Sequence, residues 1–107
     1  MIKVYFLCKA DIAVRVSRTS SMLNGTSAQL KFGKWLKLED LLYGAMLPSG
    51  NDAAYLLSEV LGLLLFYERM KPEDKEYIDI ESIDITLYDN TLPFVNRFLK
   101  EMNKHAK

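Results

Sequence analysis

A proline and a small polar turn, set between two apolar runs of helical period, constrain this 107-residue chain more than any other feature. Leu38, Leu41, Leu42 and Ala45 recur at i, i+3, i+4 and i+7 and so share one face of a helix. Glu39 and Asp40 fall in its first turn, where the positive end of the helix dipole favours acids. Pro48 lacks an N–H and clashes with the preceding turn, so the helix must stop before it. In Ser49-Gly50-Asn51-Asp52, either Asn51 or Asp52 can cap a second helix. Ala53, Leu56, Leu57, Val60, Leu61 and Leu64 then form a wide apolar stripe. The pattern predicts a helical hairpin pinned at residues 48–51.

The flanking text is weaker. Residues 2–8 and 13–17 are short and rich in β-branched or aromatic side chains, which predicts two short strands. Residues 17–33 turn small and polar, a loop with a turn at Asn24-Gly25. Eight acids fall within residues 67–92. There Ile78-Asp79-Ile80-Glu81 alternates with strand period, the phase breaks at Ser82, and Ile83 to Leu87 resumes it on the other parity. Two short strands or an irregular surface excursion both fit. Thr91 and Pro93 predict a helix start, with Phe94, Val95, Phe98, Leu99 and Met102 as its apolar face and Arg97 spaced to pair with Glu101.

With 50% apolar and 26% charged residues, the chain can bury one modest core. Its 14 basic and 14 acidic residues cancel, so no strongly charged partner follows from the total. They are segregated, however: residues 1–38 carry seven bases against Asp11, and residues 39–92 carry twelve acids against Arg69, Lys71 and Lys75. The bases of the first third are spread rather than clustered, which predicts a solvated surface and no nucleic-acid partner. The longest apolar stretch, Leu61 to Tyr67, is far short of the roughly 20 residues a membrane span needs. The apolar run Val4 to Cys8 is shorter than the roughly 7–15 residues of a signal peptide core. Cys8 is the sole cysteine and reads as buried filler. His105 reads as a favourable charge near a helix C-terminus. No Cys/His cluster, calcium loop or glycine-rich phosphate loop occurs, so neither a metal nor a cofactor is expected.

The chemistry-bearing candidates are therefore Ser49 and Asn51, a hydroxyl and an amide held at the tip of a packed hairpin, as a preorganised site requires. The same residues also suit any tight turn. Their setting narrows the choice. Residues 25–54 contain Gly25-Thr26-Ser27-Ala28-Gln29-Leu30-Lys31-Phe32-Gly33, then Leu38-Glu39-Asp40-Leu41-Leu42-Tyr43-Gly44, then Met46-Leu47-Pro48-Ser49-Gly50-Asn51-Asp52-Ala53. In this order they resemble the serine-type D-alanyl-D-alanine carboxypeptidases, low-molecular-mass penicillin-binding proteins related to the class A β-lactamases. The resemblance covers residues 16–64 and 94–107, leaving 1–13 unmatched and 67–92 as an acidic, insertion-like segment.

The resemblance implies an α+β fold of which this chain would be a mainly helical segment, part of a β-lactamase/transpeptidase-like domain. Ser49, Gly50 and Asn51 match the second of three family motifs. By that match Ser49 would relay protons, Asn51 would orient the substrate amide and the motif lysine, and Gly50 would contact substrate. The ligand implied is a peptide ending in D-Ala-D-Ala, or a β-lactam, and family members are exported. The two other motifs, Ser-x-x-Lys with the nucleophile and Lys-Thr-Gly on an edge strand, do not occur in these 107 residues. Both are expected beyond the ends of this chain, which alone is expected to be inactive. The alternative is a catalytically inactive relative that binds or assembles with a protein partner. A third reading is a helical interaction module sharing only the hairpin. Lys37 also departs from the family, standing where a threonine usually caps the first helix.

Overall fold

The structure, a computed structural model, describes residues 12–22, 30–46 and 50–105. The predicted strand at 2–8, the Asn24-Gly25 turn, Cys8 and Ser49 lie outside the described residues. The fold is α+β and mainly helical. In chain order it comprises β1 (Ala13–Arg15), a single turn α1 (Arg18–Ser21), β2 (Trp35–Lys37), α2 (Leu38–Ala45), α3 (Asn51–Glu68), a single turn α4 (Pro72–Lys75), β3 (Ser82–Ile83) and α5 (Leu92–His105). A 3₁₀ turn, Ile85–Leu87, follows β3.

The sheet has the order β2-β1-β3, with β2 antiparallel and β3 parallel to β1. Its centre obeys the two-residue period of a strand: Ile12, Val14 and Val16 are buried, while Arg15 points away from the core. On that outer face Arg15 pairs in register with Trp35, and its guanidinium lies 5.8 Å from the centre of the Trp35 ring. The same guanidinium donates to Gly33 O at 2.9 Å and to Asp84 Oδ2 at 3.0 Å, so one side chain ties β2 to the segment after β3. Gly33 turns the chain into β2 with φ of 82°, a conformation that glycine adopts without a Cβ penalty.

The predicted hairpin is present as α2 and α3. Leu38 and Leu41 of α2 are buried, and α3 continues past its expected apolar stripe to Glu68. Every residue from Ser58 to Leu65 is buried, because α1, α2 and α5 all pack against α3. A helix enclosed all round needs no polar face. Gly62 marks the closest approach of α3 to α5: a Cβ there would lie 1.8 Å from the carbonyl oxygen of Phe94. The ring of Phe94 meets Phe66 and Tyr88 edge to face, at 5.7 and 5.1 Å.

Of the two forms that its alternation allows, two short strands or an irregular excursion, the acidic segment is closer to the second. Residues 72–75 form a helical turn and only Ser82 and Ile83 pair as strand. The phase break is nevertheless real in burial. Ile78 and Ile80 are half-buried, whereas on the other parity Ile83 and Ile85 are fully enclosed in the core beside Val14. The segment is thus exposed at its acidic start and structural at its end. On α5, Val95 is buried and Phe94 and Phe98 are half-buried, but Leu99 and Met102 are about half exposed, so the packed face is narrower than its spacing predicts. No helix among the described residues is long and apolar enough to cross a membrane.

Candidate functional site

The hairpin tip places two of the three motif residues. Gly50 is buried and acts as the N-cap of α3, and Asn51 is its first helical residue, exposed to solvent. The cap position is thus Gly50, which has no side chain to bond, rather than Asn51 or Asp52, although Asp52 still satisfies a first-turn N–H from inside the helix. Asp52 is completely buried. Its Oδ1 accepts the N–H of Ala53 at 2.8 Å and its Oδ2 accepts the N–H of Leu30 at 2.9 Å. The carboxylate therefore ties the chain leading into β2 to the tip of the hairpin, and it sits where the helix dipole favours it.

Two turns further along α3, the structure builds a second site. Glu59 has no solvent exposure. Its Oε1 accepts a hydrogen bond from Ser17 Oγ at 2.6 Å, and its Oε2 accepts one from Thr91 Oγ1. Ser17 is positioned by its own local role, as N-cap of α1: its Oγ accepts the N–H of Ser20 at 3.1 Å. Thr91 stands just before α5, whose first N–H, that of Leu92, is taken by Asn90 Oδ1 at 3.0 Å. A cleft of about 440 Å³ opens over this network, walled by Arg18, Phe32, Tyr55, Asp89 and Asn90 among others. The Arg18 guanidinium lies 4.5 Å above the Phe32 ring.

Burial pushes the Glu59 carboxyl above its ordinary pKa, and the bonds from Ser17 and Thr91 only partly offset that rise. Burial likewise raises the Tyr55 hydroxyl, with the negative charge of Glu59 one turn away adding to it. Asp84 shows the opposite balance. Its partial burial disfavours the charged form, but hydrogen bonds from Thr86 and the Arg15 guanidinium outweigh it, and its pKa is lowered. Among the described residues no group of three His, Cys, Asp or Glu side chains could hold a metal ion.

Asn51 does not line the cleft, so the predicted tip and the Glu59 network are separate places on one helix. Sequence reasoning missed Glu59 because it stands outside the apolar stripe of α3 and reads as a solvated acid. The available signal was Gly62, one turn on: a glycine inside an otherwise strong helix implies that another backbone passes close to that face. No family model matches the sequence, and neither a curated protein nor a solved structure matches it.

Proposed function

We propose that the α2–α3 hairpin is the Ser-x-Asn element of a serine-type D-Ala-D-Ala carboxypeptidase-like domain, with Ser49 and Asn51 as its catalytic groups and Gly50 at the substrate. The observation that carries this reading is the start of α3: Gly50 is buried at its N-cap, and Asn51 is held exposed to solvent in the first turn of an 18-residue helix. The α+β architecture, with a small sheet against a mainly helical body, is compatible with part of a transpeptidase-like domain.

In this reading Ser49 passes a proton between the motif lysine and the departing amine, while Asn51 orients the scissile amide. An acyl-enzyme would form on the serine of a Ser-x-x-Lys motif and be hydrolysed by water. Since these 107 residues contain no Ser-x-x-Lys, the chain by itself supplies the proton relay and the orienting amide but not the nucleophile.

A chimera tests this. Residues 16–64 replace the corresponding stretch of an active D-Ala-D-Ala carboxypeptidase, and acylation by a fluorescent penicillin is measured. The chimera is expected to label, and its Ser49→Ala form to label at least roughly a hundredfold more slowly, the scale of a lost acid–base group. A folded chimera that fails to label, or one indifferent to Ser49→Ala, overturns the proposal. The 107-residue chain alone is expected to release no D-Ala.

A further inference from the structure

Three properties of the cleft over Glu59 narrow what it can hold. The first is charge. Arg18 and Asp89 line it with opposite signs, and Glu59 beneath them is sealed from solvent with both oxygens already hydrogen-bonded. A cationic ligand would meet Arg18 and an anionic one Asp89, so neither sign is balanced.

The second property is hydrogen-bonding polarity. Ser17 and Thr91 give their hydroxyl protons to Glu59, and Thr86 gives its own to Asp84. A hydroxyl has one proton, so none of the three can donate toward the cleft. Ser17 Oγ, which also takes the N–H of Ser20 and lies 2.9 Å from Ser20 Oγ, is fully engaged, and the lone pairs offered there are those of Thr86 and Thr91. Donors come from elsewhere on the wall: the Arg18 guanidinium, the Tyr55 hydroxyl, and the Nδ2 of Asn90, whose Oδ1 is already committed to Leu92. The wall thus asks for a ligand that both gives and accepts at several points.

The third property is the aromatic surface. Phe32 and Tyr55 line the cleft, and stacking on Phe32 leaves the edge of the Arg18 fork free for two-point bonding.

We propose that this cleft binds an uncharged polyhydroxyl ligand, a mono- or disaccharide. Each sugar hydroxyl donates and accepts at once, which matches the mixed wall. The planar groups of Asp89 and Arg18 can each engage a pair of adjacent hydroxyls, the Nδ2 of Asn90 can donate to another, and the C–H face of a pyranose packs on an aromatic ring. The volume of about 440 Å³ is that of an ordinary small-molecule site. This site lies two turns along α3 from Asn51 and does not depend on the reading of the hairpin tip.

The test is an amide-resolved NMR titration of the 107-residue chain with glucose, N-acetylglucosamine and maltose in turn. At least one sugar is expected to move the amides of Thr19, Phe32, Tyr55 and Asn90 saturably. Asn90→Asp keeps the oxygen that serves Leu92 and removes the Nδ2 donor; Phe32→Ala removes an exposed ring. Each is expected to weaken binding about tenfold or more, with circular dichroism unchanged. The proposal is overturned if no sugar moves these amides, if both folded variants bind as before, or if only inorganic phosphate or glycylglycine moves them.

Discussion

Ser17 Oγ stands 2.6 Å from Oε1 of Glu59, a residue 42 positions further along the chain and wholly enclosed. With Thr91 on the other oxygen, this contact fastens the entries to α1 and α5 onto the middle of α3. Removing the carboxyl takes the acceptor from both hydroxyls, although Ser17 Oγ keeps its contacts with Ser20. Glu59→Ala is therefore expected to cost about 3 kcal/mol or more, the scale of a broken buried polar network, measured by urea unfolding at neutral pH.

Protonation of Glu59 makes stability depend on pH with a definite sign. Its folded pKa lies above the ordinary value of 4.5, so the folded state holds the proton more tightly than the unfolded one. The associated stability is fully present below that value and is lost as pH rises through the folded pKa. Wild type is expected to lose stability from about pH 4.5 upward in urea titrations, and Glu59→Gln to flatten that slope while keeping both hydroxyl contacts. An unchanged slope in Glu59→Gln would assign the dependence to another group.

Asp84 works in the other direction. The bonds from Thr86 and Arg15 lower its pKa below the ordinary 3.8, so its contribution is present above that value and lost as pH falls through the folded pKa. Arg15→Gln weakens that hold. Acid unfolding of the variant is expected to begin at higher pH than in wild type, followed by circular dichroism, with little change near neutrality beyond the small loss of a partly exposed ion pair.

What could be read from the sequence was what lies within one or two helical turns. Pro48 and the spacing of Leu38, Leu41 and Ala45 set the end and inner face of α2 without reference to anything distant. The phase break at Ser82 likewise marked which isoleucines enter the core, because burial alternates locally. The Glu59 network was illegible for the opposite reason: its partners are 42 and 32 residues away, and a lone acid in a helix carries no sign of which neighbour will cover it. Asp52 was legible as a group that serves a first-turn N–H, but its second partner, the N–H of Leu30, comes from before β2 and was not. Ile78 and Ile80 suggested a strand, but among the described residues that stretch pairs with no neighbour until Glu81 O accepts the N–H of Ala13 at 2.8 Å.

Lys37 offers a gain. It stands at the N-cap of α2 with extended backbone angles, φ −75° and ψ 143°, and makes no side-chain capping bond. Its neighbour in the ladder is Ala13, so a small β-branched residue suits the strand as well as the cap. Lys37→Thr is expected to stabilise by about 0.5–2 kcal/mol, raising the melting temperature by several degrees.

Gly62 offers the sharpest loss, because two effects of opposite sign can be compared there. Replacing a helical glycine by alanine ordinarily favours the helix by about 1 kcal/mol. At Gly62 the new Cβ would lie 1.8 Å from Phe94 O and 2.4 Å from the Phe94 carbonyl carbon, both of them backbone atoms of a packed helix. No rotamer change relieves that overlap, so α5 must shift outward and weaken the contacts of Phe94 with Phe66 and Tyr88. Overpacking of this kind typically costs about 1–3 kcal/mol, and backbone overlap this deep belongs at or beyond the upper end. Steric displacement should win: Gly62→Ala is expected to lower stability by about 2 kcal/mol or more net, read as a fall in melting temperature of about 8 °C or more. Since Thr91 lies just before the displaced helix, Glu59→Ala in the Gly62→Ala background should cost less than in wild type. That non-additivity, measured by a double-mutant cycle, checks that α5 and the Glu59 network move as one unit.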